Sequence, residues 1–324
     1  MDDQLLAHLR SLEGLELQEH APLSGYTRFG IGGPADLLVD ALSEASLIAA
    51  LVALRQAGVP LEVIGEGSNL IVSDEGFRGV ILRYRASAMQ FEGTCVRIAA
   101  GAILQDLVDQ SIAHGLAGVH TMTGIPGSVG AAVYGNAGAY GRSISQSVAS
   151  VLYFDGNIVA TRANAACDFH YRESTFKQNK PWVILSAELH LEPGDAHELQ
   201  TKADGIRKIR DDKYPPSMRC AGSIFKNLIL TKLDPRVQAQ VPTTVIREGK
   251  VPAAWFLDEA GVKGMRVGGI QVAEYHANLI YNAGRGTAAD LRTVIDRCKR
   301  RVEDHFGPLT LEEEVQYIGF PASV

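Results

Sequence analysis

A leucine-rich amphipathic segment at residues 43–57 gives the clearest pattern in the chain. Leucines such as Leu47 and Leu51 recur at helical spacing, which predicts a helix with one apolar face. Ser43 precedes this face and Gly58 follows it. Serine is a favoured N-cap, and glycine readily takes the left-handed conformation that ends helices.

Strands and helices alternate around this segment, with glycine between them. Alternation of this kind predicts an α/β-type arrangement in the first part of the chain. We expect strands at 59–67, 80–84 and 95–101 and a helix at 102–114.

The middle of the chain is richer in strand patterns. Asp-Gly-Asn interrupts two β-rich runs in 148–160, which indicates a hairpin. Residues 182–191 predict another strand, and the charged segment 196–213 predicts a helix that stops before two prolines. A boundary is therefore expected near residue 210.

Two elements are predicted in the last section. Residues 287–307 carry apolar side chains at helical spacing, and Thr287 can cap this helix. Residues 311–319 start with an acidic run and end in a strand.

Composition narrows the class of protein. A length of 324 residues suggests two or three domains. The net charge is −6, which gives no general attraction to nucleic acid. A basic run at 207–213 is broken by Asp211 and Asp212, so we interpret it as a solvated helix face.

The spacing of the cysteines and the length of the apolar runs indicate the cellular location of the protein. None of the four cysteines forms a C-x-x-C pair, so we expect neither a metal site nor a disulfide framework. The longest apolar run, 45–54, is too short to span a bilayer, and the N-terminus lacks the apolar core of a signal peptide. We expect a cytoplasmic protein without a membrane partner.

Two glycine-dense segments are the strongest chemical signal. Residues 124–141, GIPGSVGAAVYGNAGAYG, hold six glycines, and residues 65–70 read GEGSNL. Neither has the spacing of a Rossmann or Walker loop. Glycine lets backbone N–H groups approach phosphate oxygens, so a nucleotide or dinucleotide site is one interpretation; tight turns and close backbone packing are the other. The expected binding residues are Gly65, Gly67, Ser68, Asn69, Gly124, Ile125, Pro126, Gly127, Ser128, Gly130, Asn136, Gly138 and Tyr140.

Two polar segments could carry chemistry. Arg172 lies in HYRESTFK, and arginine binds carboxylates with its planar fork, although a surface arginine is the simpler explanation. Ser223 lies in CAGSIFKN, which is not a G-x-S-x-G elbow, so acyl transfer has little support.

The order of these segments resembles the UDP-N-acetylenolpyruvoylglucosamine reductases. Motifs from about residue 20 to 320 carry the resemblance, among them TRFGIGGPAD, GEGSNLIVSDEGFRGVIL, the six-glycine stretch, YRESTFK, AGSIFKN, HANLIYN and EVQYIG. The resemblance implies an α+β protein with a two-subdomain FAD-binding fold of the vanillyl-alcohol-oxidase/p-cresol-methylhydroxylase type and a C-terminal α+β substrate domain. The implied parts are 1–83 (joined by the C-terminal strand 308–324), 84–208 and 209–307.

Matching the motifs position by position implies a catalytic trio of Arg172, Ser223 and Glu314. Glu314 is chosen over its two acidic neighbours because it directly precedes the valine of the E-V-x-x-I-G motif. Substrate binding is implied for Lys226, Asn227 and Lys263, whereas His276 is expected to be structural. No insertion follows YREST, so the chain resembles the shorter, loop-lacking type.

The resemblance also implies an activity. NADPH would reduce non-covalently bound FAD, and a hydride would then pass to UDP-N-acetyl-3-O-(1-carboxyvinyl)-glucosamine in peptidoglycan precursor synthesis. Arg172 and Glu314 would hold the carboxylate, and Ser223 would supply the proton, with Lys226 or water stabilising its alkoxide. We expect a monomer. The alternatives are an FAD-dependent sugar or carbinol oxidase of the same fold and a non-catalytic UDP-sugar-binding module.

The six-glycine stretch is then expected to be an extended wall along FAD, faced by residues 65–69. Valine at Gly127 or Gly130 should in that case reduce FAD retention before it affects folding.

Overall fold

The leucine-rich segment forms a helix over Glu44–Gln56 in a computed structural model that describes residues 2–321. A reciprocal pair closes its N-terminus: the Ser46 amide donates to Ser43 Oγ at 3.1 Å, and the Ser43 amide donates to Ser46 Oγ at 3.0 Å. Gly58 follows with φ of 64°. The predicted caps are both confirmed.

The helices of the described chain differ widely in length. In chain order they are α1 Asp3–Ser11, α2 Glu44–Gln56, α3 Leu104–Ala113, α4 Val129–Tyr134, α5 Thr175–Gln178, α6 Ala196–Lys213, α7 Pro235–Gln238, α8 Ala253–Glu259 and α9 Ala288–Phe306.

The strands are mostly short. They are β1 Leu15–Glu19, β2 Ala35–Ala41, β3 Leu61–Ile64, β4 Leu70–Val72, β5 Phe77–Tyr84, β6 Met89–Glu92, β7 Cys95–Ala99, β8 Leu116–Ala117, β9 Gly138–Ala139, β10 Arg142–Ser143, β11 Val148–Phe154, β12 Val159–Ala163, β13 Val183–His190, β14 Glu192–Pro193, β15 Leu228–Ile229, β16 Lys250–Val251, β17 Arg266–Val267, β18 Ile270–Ala273, β19 His276–Asn282 and β20 Gln316–Ile318.

The chain divides into two units that are discontinuous in sequence. The first contains residues 2–21, 35–67 and 78–212. Its sheets have the strand orders β1-β2-β5-β3 and β12-β11-β13-β7-β6. Buried side chains of α2, α3 and these sheets, such as Leu51, Leu107 and Val96, form its core.

The second unit contains residues 22–34, 68–77 and 213–321. It includes a three-stranded antiparallel sheet, β17-β18-β19, and the parallel pair of β4 with β20. Helices α8 and α9 bury Phe256, Leu291 and Val294 in its core. The observed change of unit at residue 212 lies close to the predicted boundary near 210. The three-part division itself stays a prediction.

Most elements predicted from periodicity are present. The hairpin pairs β11 with β12, and α6 covers residues 196–213 as expected. Thr287 Oγ1 accepts from the Asp290 amide at 3.0 Å and caps α9. No helix within residues 2–321 is both long enough and apolar enough to cross a membrane.

Candidate functional site

The two glycine-dense segments meet within the first unit. A Cβ atom placed on Gly65 would lie 2.7 Å from Ser128 Oγ and 3.4 Å from the Ala131 side chain. Only glycine fits this approach without displacing a neighbour. The two segments therefore touch at residue 65, and the expectation that residues 65–69 face the glycine stretch along FAD stays a prediction.

The six-glycine stretch is not extended throughout, which corrects the sequence interpretation. Val129–Tyr134 forms the short helix α4, capped by Ser128, whose hydroxyl accepts from the Ala131 amide at 3.3 Å. Gly130 packs against Ala100: its amide donates to the Ala100 carbonyl at 2.8 Å, and an added Cβ would lie 2.8 Å from the Ala100 Cβ. Gly130 therefore serves close packing of backbone, the alternative that the sequence left open, and valine there would disturb folding itself.

Backbone donors remain available where the segments meet. Among residues 2–321, the amides of Glu66, Gly67, Gly127 and Ser128 donate no hydrogen bond. Gly67 has φ of 64° and Gly127 has φ of 121°, a region that favours glycine. Gly67 and Ser128 are buried and Gly127 is half-buried, so their N–H groups need acceptors, whereas Glu66 is exposed. Phosphate oxygens are suitable acceptors for such groups. The residues present therefore fit the pyrophosphate of FAD.

The ends of the stretch have different environments. Gly124 has φ of 75°, and its amide donates to Gln105 Oε1 at 2.8 Å. Ile125 packs against the core. Gly138 lies in the β9–β10 hairpin, and Tyr140 at its turn is exposed with φ of 52°. Cofactor contact by these residues and by Pro126 stays a prediction.

Hydrogen bonds tie the segment around Arg172 to the glycine stretch. The Arg172 guanidinium donates to the Gly138 carbonyl at 3.0 Å. Ser174 Oγ donates to the Tyr134 carbonyl at 2.7 Å. Arg172 also has φ of 60°, a conformation that costs energy for a residue other than glycine. The fold thus holds the arginine against the predicted flavin-binding segment.

Asn136 provides a third link. Its side-chain amide donates to the His170 carbonyl at 2.8 Å, and its oxygen accepts from the Ser145 amide at 3.3 Å. The residue is buried. These bonds position the Arg172 segment, and a direct contact of Asn136 with FAD stays a prediction.

In the second unit, the segment that carries Ser223 runs between two other backbone segments. Ser223 forms an isolated bridge with Leu279, and the Ile224 amide donates to the Asn278 carbonyl at 3.1 Å. On the other side, the Glu314 amide donates to the Ile224 carbonyl at 2.7 Å. The structure therefore brings the backbones of Ser223 and Glu314 together.

The three acidic residues of the C-terminal run have distinct partners. Glu312 pairs with Lys226 at 2.5 Å, and Glu313 pairs with Lys299. The carbonyl of Glu314 accepts a 2.9 Å hydrogen bond from the Asn69 side chain. The Glu312 and Glu313 carboxylates thus have lysine partners in the second unit, and the catalytic role of Glu314 stays a prediction.

The Ser223 hydroxyl has a partner that the sequence interpretation missed. Tyr214 Oη lies 3.1 Å from Ser223 Oγ. The two residues are nine positions apart, and no spacing rule links a tyrosine before Pro-Pro to a later serine. Within residues 2–321, Tyr214 is the hydrogen-bond partner of this hydroxyl.

Each predicted substrate-binding residue has a hydrogen bond or an ion pair with another residue of the chain. Lys226 is buried and pairs with Glu312. Asn227 Oδ1 accepts from the Ala253 amide at 3.3 Å, and Lys263 pairs with Asp258 at 2.7 Å. Their role in substrate binding stays a prediction, as does the cofactor role of Ser68 and Asn69, which belong to the second unit.

His276 is held neutral by its surroundings. Burial, helped by the Lys213 charge, lowers the pKa of His276 to about 4. Its Nδ1 is buried and has no hydrogen-bond partner within residues 2–321. A neutral imidazole at the start of β19 agrees with the structural role expected from the sequence.

One group of potential metal ligands occurs among the described residues. Donor atoms of Cys95, Glu188 and His190 lie within 4.8 Å of one another. Arg97 Nε donates to Glu188 Oε2 at 3.0 Å. Because this guanidinium already neutralises the carboxylate, we assign no metal to the group.

Two family models match separate parts of the chain. Residues 214–318 match the family model described as UDP-N-acetylenolpyruvoylglucosamine reductase, C-terminal domain, and residues 35–160 match the FAD binding domain. These matches confirm the predicted FAD-binding fold and the C-terminal domain.

Individual relatives agree with the family models. The UDP-N-acetylenolpyruvoylglucosamine reductase of Solibacter usitatus is 54% identical over 311 residues, which are 96% of this chain and 99% of that protein. The enzyme of Bacillus subtilis is 33% identical over 98% of this chain and 99% of its own length. The crystal structure of the reductase from Thermus caldophilus matches with a TM-score of 0.72 and 28% identity, covering 94% of this chain and 98% of that one.

Proposed function

Because the chain belongs to the UDP-N-acetylenolpyruvoylglucosamine reductase family, we propose that it reduces UDP-N-acetyl-3-O-(1-carboxyvinyl)-glucosamine to UDP-N-acetylmuramate. NADPH is the reductant and FAD the non-covalent cofactor. The product enters peptidoglycan precursor synthesis.

FAD binding is assigned to the first unit. The available amides of Gly67, Gly127 and Ser128 support binding of its pyrophosphate. When bound, FAD supplies the two-electron hydride chemistry that no side chain can provide.

Side chains of the protein stabilise the negative charge that develops on the substrate and supply the proton. Reduction of the enolpyruvyl double bond builds negative charge on the carbon beside the substrate carboxylate. Arg172 and Glu314 bind and polarise that carboxylate, so the charge spreads onto its oxygens. Ser223 then gives its hydroxyl proton to the carbon.

One observation carries this proposal. The bond from the Glu314 amide to the Ile224 carbonyl brings the carboxylate-binding residue next to the segment of the proton donor Ser223. Two side chains needed for one reaction thus lie on neighbouring backbones of one unit. No specific observation favours the oxidase or the non-catalytic module.

Separate measurement of the two half-reactions tests the proposal. Under anaerobic conditions, NADPH should bleach the flavin absorbance and the enolpyruvyl sugar should restore it. Ser223→Ala should keep the first step and nearly lose the second. Ser217→Ala, a matched change at an exposed nearby serine, should keep both. Protein without bound FAD that cannot be reconstituted would overturn the whole assignment.

The proposal also covers substrate binding, cellular location and oligomeric state. Lys226, Asn227 and Lys263 are assigned to substrate binding, with Asn227 and Lys263 at the UDP moiety. The protein is proposed to act as a cytoplasmic monomer. The four cysteines are unpaired, which supports a reducing compartment. Sedimentation of the FAD-bound protein tests the monomer, since a dimer would contradict it.

A further inference from the structure

Proton donation by Ser223 raises a chemical difficulty. An aliphatic hydroxyl is a weak acid, and its alkoxide must be stabilised as the proton leaves. A phenol is much more acidic, since tyrosine loses its proton near pH 10 in water. The hydroxyl of Tyr214 lies 3.1 Å from Ser223 Oγ, within hydrogen-bond distance.

The surroundings of Tyr214 fix this phenol relative to the serine. Its ring packs against a small buried cluster that includes Cys220 and Leu279. Leu279 is also the backbone bridge partner of Ser223. The cluster against which the tyrosine ring packs therefore also contains the backbone bridge partner of the serine.

A lysine contacts the face of the Tyr214 ring. Lys213 Nζ lies over the ring, 4.9 Å from its centroid. This cation–π contact helps to hold the ring in place.

The sequence analysis named Lys226 as a residue that could stabilise the Ser223 alkoxide. Its ammonium pairs with Glu312 at 2.5 Å, whereas the hydrogen bond described for the Ser223 hydroxyl is to Tyr214. Tyr214 is therefore in a position to act on the serine.

We propose that Tyr214 is a positioning residue that relays a proton through Ser223. As the Ser223 O–H bond breaks and the new C–H bond forms, the Tyr214 O–H bond breaks and the serine hydroxyl is restored. The phenolate that remains regains its proton from water. Electrons and protons balance without a further reactant, because reduction of the double bond has already supplied the electron pair.

This inference rests on the proposed function, and Tyr214→Phe tests it because the change keeps the ring and removes the hydroxyl. Reduction by NADPH and flavin content should be unchanged, which also verifies folding. Reoxidation by the enolpyruvyl sugar should slow roughly 10- to 100-fold, the effect of losing a hydrogen bond to a charged group.

A solvent isotope measurement distinguishes a proton relay through Tyr214 from a purely structural role of this residue. In mixtures of light and heavy water, the parent protein should show two protons moving during reoxidation, and Tyr214→Phe should show one. A purely structural tyrosine would leave this number unchanged. Tyr281→Phe is the matched control, since Tyr281 packs on the same cluster and its hydroxyl has no hydrogen bond within residues 2–321; it should behave as the parent.

The double variant links the two residues. Because Tyr214 acts through Ser223, adding Tyr214→Phe to Ser223→Ala should slow reoxidation no further. Parent-like reoxidation by Tyr214→Phe, while Ser223→Ala is inactive, would overturn this inference alone. Parent-like reoxidation by Ser223→Ala would overturn the proton donor of the proposed function and the relay with it.

Discussion

The guanidinium of Arg172 donates a 3.0 Å hydrogen bond to the carbonyl of Gly138. This bond joins the candidate carboxylate-binding residue to the end of the glycine stretch. The conformation of Arg172, with φ of 60°, is kept in place by the neighbouring bonds of Asn136 and Ser174. Several contacts therefore hold a strained residue where chemistry is proposed.

Arg172→Lys should impair the reaction with the enolpyruvyl sugar. Lysine keeps the charge and loses the planar fork that binds a carboxylate. We expect reoxidation to slow by about 10²- to 10³-fold, typical of losing a transition-state donor, with reduction by NADPH unchanged in stopped-flow measurements. Arg142→Lys on the adjacent hairpin is the control. Parent-like reoxidation of Arg172→Lys would remove this role.

Gly65→Ala should weaken FAD binding. The new methyl group would lie 2.7 Å from Ser128 Oγ, so the serine must turn away and lose its cap on α4, at a cost of about 1 kcal/mol. Titration of apoprotein with FAD should show a higher Kd. Gly205→Ala meets nothing within 4 Å and should bind FAD normally. An unchanged Kd for Gly65→Ala would show that the contact does not shape the FAD site.

Gly130→Ala should destabilise the first unit. Its Cβ would lie 2.8 Å from the Ala100 Cβ and 3.0 Å from the Ala100 carbonyl oxygen, and overpacking of this kind costs about 1–3 kcal/mol. Urea unfolding of the apoprotein measures the loss. At Gly135 an added Cβ makes an ordinary 3.5 Å contact, so Gly135→Ala is the matched control. Equal midpoints for the two variants would contradict the packing argument.

His276 should make stability depend on pH. Burial lowers its pKa to about 4 in the folded protein, whereas an unfolded histidine titrates near 6.5. Between these values the unfolded chain binds more protons, so the free energy of unfolding falls as pH falls from about 6.5 to 4.

His276→Gln should reduce this fall, with an effect on the order of 1–2 kcal/mol because the ring is only partly buried. Denaturant unfolding at several pH values provides the measurement. His197→Gln, at an exposed histidine, should leave the slope unchanged. If the free energy of unfolding of His276→Gln depends on pH as steeply as that of the parent protein, other groups cause the dependence.

Hydrophobic and charge patterns predicted the long elements well, whereas a short glycine-containing helix and two-residue strands were harder to predict. Helix α6 occupies its predicted residues because an 18-residue charged segment between breakers has few alternatives. Helix α4 was missed because glycine lowers helix propensity, although Ser128 was a possible cap signal. Strands of two residues, such as β15, carry no periodicity to detect.

Part of the candidate site could be predicted from motifs. Motif matching predicts roles for Ser223 and Glu314, and the structure brings their backbones together. Tyr214 was not identified because its closeness to Ser223 arises from tertiary packing. The discontinuous units were also beyond sequence reasoning, since residues 22–34 and 68–77 belong with a unit whose remaining residues start at 213.

The parallel pairing of β4 with β20 affects when the protein can become active during its synthesis. Leu70 pairs with Gln316, and the Asn69 side chain binds the Glu314 carbonyl across 245 positions. A nascent chain on the ribosome exposes β4 long before its partner strand has been translated. β4 can therefore form this pair only after β20 has been synthesised, and Glu314 reaches its place only after 245 residues have been added beyond Asn69.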